Sequence, residues 1–114
     1  MFEKNLNMSY LLDFYGNVLS ERKLQVMRLY YNEDLSLGEI AEQLDISRQG
    51  VRDIIKKAES ELLFYEERLQ LASRFQSVKR HADNIISLLQ TPEGSNSDTI
   101  KREVNDIIDE LSSN

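Results

Sequence analysis

The chain of 114 residues has no cysteine and no tryptophan, one proline, four glycines and one histidine. Without cysteine there is no disulfide scaffold, no thiolate zinc site and no cysteine nucleophile. Long apolar runs are missing as well. Nothing matches the core of a signal peptide or a bilayer span, so a soluble, cytoplasmic protein without a membrane role is expected. Positive charge is in short supply, 14 Lys/Arg against 20 Asp/Glu for a formal charge of −6. That balance argues against a non-specific polyanion coat but leaves room for a local basic stripe. No phosphate-cradling glycine loop and no Ser/His/Asp set occurs, so no enzyme is expected. Nor is a metal or cofactor expected. His81 has no carboxylate at local ligand spacing and reads as a surface residue.

What is present is helical periodicity. Apolar residues recur at steps of three and four nearly throughout, and no stretch alternates with a period of two, so the fold class is all-α. The spacing predicts a first helix over Met8 to Tyr15, stopped by Gly16 and Asn17 in a left-handed conformation. Ser20 caps a second over Glu21 to Tyr31, with Leu24, Met27 and Tyr31 on one face. Ser36-Leu37-Gly38-Glu39 fits a capping box opening a third helix that runs to Leu44. Ser47 caps a fourth, with Val51, Ile54 or Ile55, Ala58 and Leu62 turned inward. Nothing then interrupts the helix until Thr91-Pro92-Glu93-Gly94-Ser95-Asn96-Ser97-Asp98, which reads as a polar loop. Tyr10, Phe14, Tyr15, Tyr30 and Tyr31 read as a core cluster between the first two helices. Glu59, Glu61, Glu66 and Glu67 read as a solvated face.

The stretch Ser36 to Lys57, SLGEIAEQLDISRQGVRDIIKK, carries the functional reading. Two helices crossing steeply over a short turn need a small residue at the crossing and apolar residues at fixed offsets. Ala41 supplies the first; Ile40, Leu44, Ile46, Val51 and Ile54 supply the others. In a helix-turn-helix, early residues of the second helix reach base edges in the major groove. Ser47, Arg48, Gln49, Arg52 and Asp53 are the base-reading candidates. Arg48 or Arg52 can pair with guanine, Gln49 with adenine, and Asp53 can accept from a cytosine amine. Between Ser47 and Lys57 four cations face one acid. Lys56 and Lys57, with Arg22, Lys23 and Arg28 of the second helix, are the phosphate candidates. Asp45 stands where such turns usually carry glycine, and Gly50 lies inside the recognition helix at a cost of about 1 kcal/mol.

From Leu19 to Leu62 the chain resembles region four of bacterial sigma factors, through Leu19-Ser20, Arg22, Val26, Met27, Ser36-Leu37, Glu39-Ile40, Ile46-Ser47-Arg48, Val51-Arg52, Ile54 and Lys57-Ala58. Over nearly its whole length, including the run YYNEDLSLGEIAEQLDISRQGVRDIIKKAE, it resembles the YlxM-like family of small bacterial proteins. That resemblance implies DNA binding and a link to the signal recognition particle pathway. Duplex DNA and components of that particle are therefore the expected partners. An adaptor that acts on the particle through protein or RNA contacts is the alternative.

The expected organisation is a helix-turn-helix domain over residues 1–66, winged-helix-like and sigma-region-four-like, and a C-terminal helical hairpin over 67–114. A soft boundary falls near Glu66 to Leu69. Phe75, Val78, Ala82, Ile85 and Leu89 form one apolar stripe, and Ile100, Val104, Ile107 (or Ile108) and Leu111 the other. Two narrow stripes cannot make a full core alone, so a homodimer through them is expected.

Overall fold

A computed structural model describes residues 6–90 and 96–112. These residues form α1 (Leu6–Tyr15), a 3-10 turn (Gly16–Val18), α2 (Glu21–Tyr31), α3 (Leu37–Leu44), α4 (Arg48–Leu69), α5 (Leu71–Gln90) and α6 (Ser97–Ser112). The fold is all-α. Among the described residues there is no strand, so the winged element of the expectation has no counterpart. Residues 91–95 of the expected polar loop lie outside the described residues.

Contacts divide the chain into two compact units, Met1–Gln70 and Leu71–Asn114. In the first, local chemistry sets each helix start. The Ser20 hydroxyl accepts from the Lys23 amide at 3.3 Å and opens α2. Val26, Met27, Leu29 and Tyr30 are buried on α2, while Leu24 and Tyr31 are only half-buried. The inward face therefore lies further round the helix than the predicted one. On α4 Ile55 is fully buried and Ile54 half-buried. Val26, Met27, Ile40, Val51, Ile55 and Leu62 are sealed from solvent, each contributing about 1.5–3 kcal/mol through burial. α4 is the element the others share: α1, α2 and α3 all pack on it.

Three expectations change here. Gly16 does not adopt a left-handed stop, because no described glycine has a positive φ. The chain tightens into the 3-10 turn instead, and a Cβ on buried Gly16 would lie 3.2 Å from Leu24 Cδ1. Glycine is needed there for close approach. The aromatic cluster joins α1 chiefly to α4: Tyr15 stacks on Tyr65 with centroids 6.2 Å apart, and its hydroxyl donates to Glu66 Oε1 at 2.7 Å. Finally, most of the acidic run is engaged in ties between helices. Glu59 accepts from the Tyr31 hydroxyl, Glu61 pairs with Lys23 and Glu66 holds Tyr15.

The uninterrupted helix expected after Leu62 is broken at Gln70. That residue sits left-handed at φ 54°, its amide donating to the Glu66 carbonyl at 2.9 Å. The unit boundary falls at this joint, just after the predicted soft boundary. Beyond it, α5 and α6 form a hairpin. His81 meets Glu103, and Asn96 Nδ2 donates to the Leu88 carbonyl at 2.9 Å. One partner advances as the other recedes, which fixes an antiparallel pairing. The half-buried positions recur helically, at Arg74, Ser77, Val78, His81, Ala82, Ile85 and Leu88 on α5, and at Thr99, Ile100, Glu103, Asp106, Ile107 and Glu110 on α6.

Candidate nucleic-acid interface

The turn between α3 and α4 is built from both sides. The Ser36 hydroxyl accepts from the Glu39 amide at 3.1 Å and the Glu39 carboxylate accepts from the Ser36 amide at 3.0 Å, a complete capping box. At the other end Asp45 turns left-handed, φ 56° and ψ 48°, and the Ile46 amide donates back to the Ala41 carbonyl at 3.0 Å. This six-to-one bond is the Schellman closure that glycine usually permits. Asp45 takes its place because a short polar side chain tolerates the left-handed region better than most. Two residues later the Ser47 hydroxyl accepts from the Gly50 amide at 2.9 Å and starts α4. Ile40 and Ala41 of α3 and Val51 and Ile55 of α4 are buried, which fixes the angular setting of the second helix.

With Val51, Ile55, Ala58 and Leu62 inward, the opposite side of α4 is determined by 100° per residue. Ser47, Arg48, Gln49, Arg52, Asp53, Lys56 and Lys57 are all exposed. Arg48, Arg52 and Lys56, four residues apart, run along one flank. Gln49 and Asp53 lie beside them, joined by a bond from Gln49 Nε2 to Asp53 Oδ1 of 2.9 Å. Lys57, four residues after Asp53, continues the Gln49–Asp53 row. The base-reading candidates are thus brought to one end of one helix, with the acid already engaged by the amide.

The phosphate candidates on α2 are more scattered. Arg22 and Arg28 are exposed, but six residues separate them, about 120° around the helix, so they cannot track one phosphate line together. Lys23 departs from its expected role. Its ammonium pairs with Glu61 of α4 and is turned into the unit.

Gly38 is a close-approach position that periodicity could not single out. A Cβ there would come within 2.8 Å of Arg48 Nη2 and 3.0 Å of its Nε. The guanidinium therefore rests close to bare α3 backbone, in space that a side chain at residue 38 would take unless the flexible Arg48 swung aside. The capping-box pattern drew attention to these residues for another reason. At Gly50 a Cβ would press on Ser47 Oγ at 3.1 Å, so glycine there leaves room for the cap as well as lowering helix propensity.

In the hairpin, Val78, Ala82, Ile85, Ile100 and Ile107 are half-buried. Phe75, Leu89, Val104 and Leu111 remain exposed, together with Ile86 and Ile108. The single histidine also corrects its expectation. His81 is part-buried and bonded to Glu103, 22 residues away in sequence, a partner that only the hairpin fold supplies.

Two helices closed by a left-handed turn, the second presenting a cationic end, define a helix-turn-helix protein. The comparisons agree. The family UPF0122, described as "Putative helix-turn-helix protein, YlxM / p13 like", matches residues 2–107, and the chain belongs to it. UPF0122 proteins of Bacillus cereus strain AH187 and Bacillus anthracis strain A0248 are each 46% identical over 96 residues, covering 84% of this chain and 87% of theirs. That of Bacillus thuringiensis subsp. konkukian strain 97-27 gives the same values. Among the described residues no helix is long and apolar enough to cross a membrane.

Proposed function

We propose that this protein binds duplex DNA sequence-selectively as a homodimer in a regulatory role, acting in or on the signal recognition particle pathway, with the start of α4 in the major groove. The observation that carries the reading is the presentation of α4: Ser47, Arg48, Gln49, Arg52 and Asp53 exposed, Val51 and Ile55 buried beneath them. Arg48 and Arg52 read guanine edges. Gln49 and Asp53, already bonded to each other, offer an amide and a carboxylate to an adenine or a cytosine. Lys56, Lys57, Arg22 and Arg28 hold phosphates.

The dimer rests on Phe75, Leu89, Val104 and Leu111, all exposed on the hairpin, with Val78, Ala82, Ile85, Ile100 and Ile107 behind them. A second copy would cover both stripes through a twofold axis and give half-sites about 34 Å apart, or a multiple of that. Sedimentation should return twice the 13.3 kDa chain. A monomer at micromolar concentration removes the dimer.

The test uses a duplex selected from a random pool, in anisotropy titrations at two salt concentrations. Arg48→Ala should cost about 1–3 kcal/mol on the selected sequence and relax preference at one position. Lys57→Ala should weaken all sequences alike. Equal losses from both variants on every duplex contradict these roles. A second reading is favoured by the charge of −6 and by the acid on the outward side of α4: an adaptor acting on the signal recognition particle. It gains if the particle's RNA or protein binds and no duplex is selected.

A further inference from the structure

The seam of the hairpin carries polar groups where two packed helices ordinarily place aliphatic ones. His81 comes from α5; Glu103 and Asp106, three residues apart and so on one face, come from α6. One ligand atom from each lies within 4.8 Å of the other two. His81 Nδ1 hydrogen-bonds to Glu103 Oε2, with the two side chains 20% and 17% exposed. Asn84 Nδ2 approaches the second carboxylate oxygen of Glu103 at 3.5 Å.

We propose that His81, Glu103 and Asp106 are the ligands of a divalent transition-metal ion, Zn2+ by preference, that clips α5 to α6. The donor set selects the ion. One imidazole nitrogen and two carboxylate oxygens, with water in the fourth position, suit tetrahedral zinc with bonds of about 2.0–2.2 Å. Calcium, which takes six to eight oxygens, is poorly served by a site with a nitrogen and two carboxylates. The imidazole distinguishes this group from an ordinary acidic patch, and its origin on the opposite helix makes the site a cross-link. Without the ion, the hydrogen bond between His81 and Glu103 holds the two helices in register. Binding needs Nδ1 unprotonated: a neutral imidazole carries its one proton on Nε2, an imidazolium releases its Nδ1 proton to solvent, and the Nδ1 lone pair and both carboxylates then close on the metal. The fold has a use for such a clip. α6 has no buried residue and α5 only Ala72, and small units with thin cores commonly rely on staples.

His81 is the only histidine in the chain, so its ring signals need no assignment. Zinc chloride is titrated into the metal-free full-length protein, followed by nitrogen-resolved NMR of the imidazole and by competition with a chromophoric chelator. A second set of imidazole signals should grow in proportion to zinc and saturate at one equivalent per chain, whereas magnesium should leave the ring unchanged. Asp106→Asn keeps the bond between His81 and Glu103 while removing one ligand, and should weaken zinc by at least about tenfold. Zinc that binds without moving the imidazole signals overturns the proposal. So does an imidazole that excess zinc leaves unchanged, or equal zinc affinity in the wild type and Asp106→Asn.

Discussion

The two units of this chain solve the problem of holding helices together in opposite ways. In the helix-turn-helix unit α4 is a shared wall: its own Val51, Ile55, Ala58 and Leu62, with Val26 and Met27 of α2 and Ile40 of α3, have no exposure, and Glu59, Glu61 and Glu66 tie its outer edge to α1 and α2. In the hairpin α6 has no buried residue, its seam is held partly by His81 and Glu103, and Phe75, Ile86, Leu89, Val104, Ile108 and Leu111 stay exposed. The difference teaches where each unit gets its stability. The first encloses a core of its own. The second leaves apolar side chains of both helices in contact with water.

The largest expected contrast comes from truncating one side chain in each unit. Ile55→Ala, at a position with no exposure, should cost about 2–5 kcal/mol, the range for a core isoleucine whose cavity cannot fully collapse. Ile107→Ala, half-buried in the hairpin, should cost about 1 kcal/mol, since the deleted methyl groups were already partly wet. Urea unfolding followed by helical circular dichroism reads both. If Ile107→Ala costs as much as Ile55→Ala, the hairpin has a core of its own and the comparison fails. A strong dependence on protein concentration for Ile107→Ala alone would point to the second copy.

That contrast also explains what the sequence revealed and what it hid. The Ser20, Ser36 and Ser47 caps, the Ser36-Glu39 capping box and the turn at Asp45 were legible, because each is a bond between residues three to five apart. The inward face of α4 was legible too, except that only packing decides between Ile54 and Ile55. Lys23 looked like its neighbour Arg22, yet it turns inward because Glu61, 38 residues on, is there to receive it. His81 looked solitary for the same reason. The break at Gln70 was hidden differently: glutamine is a good helix former, so nothing local announces a left-handed joint. At the interface, Arg48 was legible as a cation at the right position, but not its rest against Gly38. That contact depends on the crossing of α3 over α4.

Three described non-glycine residues lie in the left-handed region, Asp34 and Asp45 inside the first unit and Gln70 at its edge. Glycine relieves the clash between Cβ and carbonyl but widens the unfolded ensemble. Both Asp45→Gly and Gln70→Gly should therefore stabilise by about 0.5–1 kcal/mol, the Gln70 variant by more, since the left-handed region suits aspartate better than a longer side chain. Thermal unfolding checks this. If Asp45→Gly destabilises, the aspartate makes a bond in its turn that outweighs the backbone strain.

The smallest expected effect separates the units by pH. All five tyrosines lie before Gln70, so tyrosine ionisation can weaken only the first unit. Burial pushes the Tyr30 hydroxyl above the usual phenol value of 10, and the negative charges of Glu59 and Asp34 add to it. A raised native value means that the folded state binds more protons than the unfolded chain once the unfolded phenol begins to ionise. The contribution of Tyr30 is therefore fully present below about pH 10. It is lost as pH rises from there through the native value. Tyr30→Phe should flatten the fall in stability above that pH, read as the slope of unfolding free energy against pH, and should remove a component of the tyrosinate absorbance rise above pH 10. An unchanged slope in Tyr30→Phe would assign alkaline sensitivity to other groups and leave the two units alike in this respect.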